Sequence, residues 1–183
     1  MSGPNGFKAS AAFQRSRARQ LQYGDLVLIH CNSYVDGYWT DITRTYCLAQ
    51  PDAQQQEFYD TIFAAREAAL RQIKPGARAA DVDDAARAIF RERGLERAFK
   101  HGLGHGVGFT AIDHNARPRL HPASDDVLEE GMVFNVEPAI YLENIGGIRH
   151  CDMVVVTESG AELLTPFQSD LSQLVISEVA VNA

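Results

Sequence analysis

GDLVLIHCNSYVDGYWTDITRTYC, residues 24–47, reads as two β-rich runs, 26–34 and 38–47, hinged on Asp36-Gly37. An Asp-Gly pair between apolar runs signals a two-residue type I′ turn, because both central residues of that turn need positive φ. With these two as the turn, Val35 faces Tyr38, so His30 faces Thr43 and Asn32 faces Asp41. Opposed residues share a sheet face and alternate residues stay on it, which directs His30, Asn32, Asp41 and Thr43 to one side. His30 and Asp41 become diagonal neighbours, about 7 Å apart at the backbone. Two metal-binding side chains can close that separation around an ion.

Working outward, GMVFNVEP at 131–138 repeats the form of residues 24–30: a glycine, an apolar strand, and a metal-competent side chain six residues on. This weak internal repeat suggests two halves related by a pseudo-twofold axis. The runs 132–141 and 148–157, separated by Gly146-Gly147, read as a second antiparallel hairpin. It carries Glu137 on its first strand and Cys151 on its second, with Arg149 and Met153 on the Cys151 face. Between the hairpins lies HGLGHGVG, 101–108, whose four alternating glycines disfavour a helix and favour an extended path. Extended, it sets His101, Leu103, His105 and Val107 on one face.

Residues 53–73 place Phe58, Ile62, Ala65, Ala69 and Ile73 at helical spacing, with Pro75-Gly76 as the stop. Asp81 reads as the cap of a second helix running to about 93, ended by Gly94. Residues 1–23 read as an irregular lead-in, about 113–130 as a polar loop, and 162–179 as short strand or turn. At 183 residues and 45% hydrophobic content the chain supports a single domain, 1–183, of α+β class. A net charge of −7 without any basic run argues against nucleic acid as a partner. No stretch approaches the ~20 apolar residues a bilayer requires, and the first twenty residues lack an apolar signal core, so a cytoplasmic protein without a membrane partner is expected. Cys31, Cys47 and Cys151 cannot form a closed disulfide set, which leaves thiols or metal ligands.

Taken singly, each donor is ordinary: an Asp in a strand usually faces solvent, and a Cys is usually a small buried hydrophobe. Jointly, the face arithmetic gathers His30, Asp41, His105, Glu137 and Cys151 around one point. His101 and His105 are four apart, but Gly102 stands where a HExxH site needs Glu, and the glycines prevent the helix. There is no Gly-x-Ser-x-Gly elbow, phosphate loop or Cys-x-x-Cys pair. Hydrolysis assisted by a bound metal is the chemistry these residues favour.

Residues 24–46, ending in TDITRT (40–45), resemble the first ligand hairpin of the pita-bread metallopeptidases: Xaa-Pro aminopeptidases, prolidases and methionine aminopeptidases. HGLGHGVG (101–108), GMVFNVEP (131–138), GIRHCD (147–152) and TESGAELLT (157–165) look like the remaining blocks, in order, over about residues 2–167. The resemblance implies the creatinase/aminopeptidase-like fold, a curved antiparallel sheet with helices on its outer face. It also implies two metal ions held by two Asp, one His and two Glu, with a bridging water as nucleophile. Asp41, His105 and Glu137 match that set in kind and position. His30 stands in place of the first Asp and Cys151 in place of the last Glu. His101 matches a substrate-side histidine, His114 a histidine that stabilises the tetrahedral intermediate, and Arg149 an arginine behind the ligands. The histidine often found after Ser-Gly-Pro-Asn has no counterpart, since residues 8–12 contain none.

The resemblance implies a peptide substrate and metal-dependent cleavage of N-terminal peptide bonds, of Xaa-Pro aminopeptidase or dipeptidase type. The alternative is a non-catalytic peptide- or protein-binding module on the same fold. Exchanging two carboxylates for imidazole and thiolate favours Zn or Fe over Mn, with one or two ions bound. The helix pair the family places before the first hairpin is not in the sequence, so the fold is expected to be N-terminally truncated. A homodimer, or a longer natural protein, is expected to supply the missing cover.

Overall fold

The computed structural model describes residues 1–10, 18–109 and 113–177. Strands β1 (Leu26–Cys31) and β4 (Ile42–Leu48) pair antiparallel with Leu26 opposite Cys47 and His30 opposite Thr43. Their tip is continued by β2 (Tyr34–Val35) and β3 (Tyr38–Trp39), with Val35 opposite Tyr38. Asp36 and Gly37 have φ of 50° and 95°, the left-handed pair a type I′ turn demands. The register is the one the turn dictates.

Helix α1 spans Ala53–Gln72 and buries Phe58, Tyr59, Ile62, Ala65 and Ala69. It opens on a capping box: the Asp52 carboxylate accepts from Gln55 N at 2.8 Å, and Gln55 Oε1 accepts from Asp52 N at 3.1 Å. Gln55 Nε2 also donates to Gly24 O at 2.9 Å, tying the helix to the first hairpin. Asp52→Ala is expected to cost about 1 kcal/mol, read as a lower urea midpoint with an unchanged m-value; an unshifted midpoint would mean the cap carries no stability.

Helix α2 spans Ala79–Glu92 and starts earlier than an Asp81 cap would place it. Arg78 is the N-cap and Asp81 lies in the first turn. Ala79 N donates to Asp126 O at 2.9 Å, and Arg78 bridges Val127, so a distant strand segment does the work of a capping side chain. From α2, the buried Asp83 accepts from Leu103 N at 2.9 Å, and Arg87 Nη2 donates to His101 O at 2.6 Å. The helix therefore fixes the path of the glycine-rich segment.

The second hairpin consists of β5 (Val133–Val136), β6 (Ala139–Leu142), β7 (Gly146–Arg149) and β8 (Asp152–Thr157). Val136 opposes Asp152 and Ala139 opposes Arg149, so Glu137 and Cys151 fall opposite each other. The turn differs from the sequence reading: it comes at 143–145, with Asn144 at φ 70°, and Gly146-Gly147 lie inside β7. These glycines serve a close approach instead. A Cβ on Gly147 would stand 2.4 Å from Gly6 O, and one on Gly6 would stand 2.7 Å from Gly147 N.

The element packed there corrects the irregular lead-in expected for 1–23, because Gly3–Ser10 is a 3-10 helix. Eight residues opening on Gly-Pro-Asn-Gly offer no readable period, and it is packing on β7 that orders them. Residues 11–17 of that lead-in lie outside the described residues. Strand β9 (Gly160–Leu163) extends β8, and β10 (Val175–Ile176) adds a parallel pairing to β4.

Thr43 N donates to Cys151 O at 3.4 Å and Cys151 N to Thr43 O at 3.0 Å, joining the two hairpins. Thr45 Oγ1 accepts from Arg149 N and donates to Arg149 O, both at 3.0 Å. Phe134 and Val136 point into the core shared with Ile62 of α1 and Phe90 of α2. By strand alternation Asn135 and Glu137 face the other way, toward the site. Among the described residues no helix is long and apolar enough to cross a membrane.

Candidate metal centre

His105 is delivered by the glycine-rich segment. A Cβ on Gly104 would lie 1.9 Å from Asn135 O and one on Gly106 2.1 Å from Arg117 O, so the chain can reach this depth only with glycine on the alternate positions. His105 Nδ1 lies 3.0 Å from Gly106 O; as a carbonyl only accepts, this nitrogen carries the proton and Nε2 keeps its lone pair. Nε2 faces Asp41 Oδ2 at 3.5 Å and Glu137 Oε1 at 3.9 Å. Asn135, fully buried, holds the group together: its Oδ1 accepts from His105 N at 2.7 Å, and its Nδ2 donates to Asp41 Oδ2 at 3.1 Å.

The His114 ring meets His105 edge-on with centroids 4.9 Å apart. His105, His114 and Glu137 form the one His/Cys/Asp/Glu group among the described residues whose donor atoms all lie within 4.8 Å of one another. These three, with His30, Asp41, His101 and Arg149, line a cavity of about 450 Å3. His30 Nδ1 sits 2.9 Å from Thr43 Oγ1 and 3.5 Å from Asp41 Oδ1. Cys151 is fully buried, is not part of the cavity wall, and donates its thiol to Asp41 O at 3.1 Å.

Burial pushes the Glu137 carboxyl up to about 7, outweighing the Arg149 charge, and Asp41 adds to the rise. Burial works in the same direction on Asp41, but the contact with His105 and the charges of His30, His105 and Arg149 hold it below the ordinary carboxylate range. His105 is raised: burial opposes this, and Asp41 and Glu137 overcome it. Burial drops His101 to about 4, keeping it neutral. Its Nδ1 donates to Gly102 O at 2.8 Å, and its Nε2 accepts from Tyr141 OH at 3.0 Å. Arg149 donates through Nε to Thr43 Oγ1 at 3.1 Å and lies 3.8 Å from Glu137 Oε2 through Nη1.

The structure thus brings His30, Asp41, His101, His105, His114, Glu137 and Arg149 to one cavity and sets Cys151 behind it. Sequence reasoning missed Asn135 and Tyr141. Asn135 had a signal, since it lies two residues before Glu137 and so shares its face. Tyr141 had none, because its partners come from other segments.

Residues 2–158 match metallopeptidase family M24. The Xaa-Pro dipeptidase of Pyrococcus furiosus is 39% identical over 153 residues, covering 84% of this chain and 43% of its own. Among solved structures, dipeptidase PepE from Mycobacterium ulcerans gives a TM-score of 0.85 at 35% identity, over 95% of this chain and 45% of that one. The prolidase from Pyrococcus horikoshii OT3 gives 0.83 at 35% identity, over 91% and 47%. The chain therefore spans about half the length of the relatives it matches.

Proposed function

Because the chain belongs to metallopeptidase family M24 and has the α+β pita-bread fold, we propose that it hydrolyses N-terminal peptide bonds of short peptides, in the Xaa-Pro dipeptidase or aminopeptidase manner. The observation that carries this reading is the meeting of Asp41, His105 and Glu137 within 3.9 Å contacts at the wall of a 450 Å3 cavity. His105 turns Nε2 toward Asp41 and Glu137, with Asn135 Nδ2 at 3.2 Å, and Glu137 supplies a carboxylate, a set that suits a divalent transition-metal ion, and nitrogen donors favour Zn or Fe over Mn. Such an ion lowers the pKa of a bound water and polarises a peptide carbonyl.

The remaining work falls to the chain itself. Glu137, whose carboxyl stands near 7 in the metal-free site, must give up its proton to bind the ion. Arg149 faces Glu137 and keeps a positive charge at the cavity wall. His101, neutral and pinned by Tyr141, presents a fixed polar edge to whatever enters. A partner copy belongs to the same reading, since Leu21, Tyr23 and Ile29 leave apolar surface exposed beside the first hairpin.

The test is hydrolysis of Xaa-Pro dipeptides and longer Xaa-Pro peptides by the purified chain, after chelation and re-addition of Zn²⁺, Mn²⁺ or Co²⁺. Metal-restored cleavage supports the reading. Tight metal binding without cleavage of any peptide would instead favour a non-catalytic peptide-binding module, a reading that the seclusion of Cys151 from the cavity supports.

A further inference from the structure

The geometry points to a single metal ion per chain, held by His105, Glu137 and His114, with His30 and Cys151 serving as internal hydrogen-bond partners instead of ligands. This deepens the proposed function by fixing the number and donors of its ion. It also departs from the two-ion arrangement that resemblance implies.

The donor atoms decide it. Thr43 Oγ1 accepts from Arg149 Nε, so its own proton is free to go to His30 Nδ1, 2.9 Å away. His30 Nδ1, the ring nitrogen nearest Asp41, is thus engaged with Thr43. Cys151 directs its thiol proton to the Asp41 carbonyl oxygen at 3.1 Å, with Asp41 Oδ1 at 3.8 Å. The sulfur is fully buried behind Asp41 and does not line the cavity.

His30, Asp41 and Cys151 do not bring one donor atom each within 4.8 Å of the others, whereas His105, His114 and Glu137 do. His114, matched by resemblance to a histidine that stabilises the tetrahedral intermediate, is thereby reassigned to the metal. Two imidazoles and one carboxylate leave a coordination position open, as a hydrolytic site requires. The altered side chains have a positioning role instead. Cys151 fixes the Asp41 backbone, and His30 with Thr43 fixes the side from which Asp41 and Arg149 approach.

Bound metal is measured per chain by equilibrium dialysis of the full chain against Co²⁺, with the absorption spectrum recorded. The expected results are one ion, no thiolate-to-cobalt charge-transfer band, and the same count in His30→Ala and Cys151→Ser. His114→Ala should weaken binding at least ~10-fold. The double variant His30→Asp/Cys151→Glu should take up two ions. Two ions in the unaltered chain, a charge-transfer band that disappears in Cys151→Ser, or an undiminished affinity in His114→Ala would overturn the assignment. Should the double variant fail to fold by circular dichroism, the spectrum and the single variants decide alone. None of these readouts uses peptide cleavage, so failure of the peptidase reading and failure of the one-ion assignment are told apart.

Discussion

Replacing Glu137 with glutamine is expected to cost the site its metal and, at the same time, to stabilise the metal-free chain. The first effect follows from the donor set. Loss of an outer hydrogen-bond partner typically costs a metal site about 10–100-fold in affinity, and Glu137 is the carboxylate of the cluster with His105 and His114, so a loss beyond about 100-fold is expected. Peptide hydrolysis should fall with it.

The second effect follows from burial, which lifts the Glu137 carboxyl from 4.5 to about 7. An acid whose folded-state pKa is raised binds its proton more tightly in the folded chain. Below the unfolded value both states are protonated and the group has no effect; as pH rises between the two values stability is lost, and above the folded value the loss is complete. The full loss is about 3 kcal/mol. Gln has no such ionisation, so at pH 8 the metal-free variant should melt roughly 6–12 °C above the metal-free parent. The gap should close by pH 4. An equal melting temperature at both pH values would show that the carboxyl is not strained by its surroundings. The same substitution thus separates what the site costs the fold from what it does.

What the sequence disclosed about this site, it disclosed through local geometry. The Asp36-Gly37 turn fixes the register of its whole hairpin, because only one pairing follows from a two-residue turn. His30, Asp41 and Thr43 then land on one face without further information. The glycine alternation at 102–106 was equally legible as an extended, closely packed path, although not what it packs against.

Features set by distant partners stayed hidden. The start of α2 depends on Asp126 O, and the order of Gly3–Ser10 on the backbone of β7. The donor-competent residues His30 and Cys151 are the sharpest case. Their chemistry suits a metal, yet His30 Nδ1 also lies 2.9 Å from Thr43 Oγ1 and the Cys151 thiol donates to the Asp41 carbonyl, and nothing in residue type reveals those contacts. Arg44 and Thr45 read from the sequence only as family signature, and Thr43 only as a position on the site face. They prove to be the latch between the hairpins, with Arg44 Nη1 reaching Cys151 O at 2.7 Å across 107 residues of chain.

That latch makes Asp152→Asn the most damaging substitution expected away from the cavity. The Asp152 side chain is fully buried and takes Arg44 Nη2 at 2.5 Å and Arg66 Nε at 2.6 Å. In spite of burial, the contact with His150 and the charges of His150, Arg66 and Arg44 hold its carboxyl far below the ordinary range. Arg44 continues to the carbonyls of Thr43, Cys151, Thr165 and Phe167, so one guanidinium joins β4, the start of β8 and the segment after β9. Asparagine keeps the shape and removes the charge, leaving two buried guanidinium groups without an anion between them. Breaking a buried pair by removing one partner costs about 3–5 kcal/mol, because the remaining charge stays desolvated. Arg66 keeps Glu67 at 2.6 Å, whereas Arg44 has no second anion among the described residues, so the cost falls mainly on Arg44.

Arg66→Gln should cost less. Arg44 remains to neutralise Asp152, and Arg66 Nη2 has no partner to lose. Urea denaturation of the two variants in parallel tests the ranking. If Asp152→Asn unfolds no more easily than Arg66→Gln, the two arginines do not depend on that carboxylate, and the hairpins must be held together by the Thr43–Cys151 backbone bridge and the hydrogen bonds of Thr43 and Thr45 to Arg149.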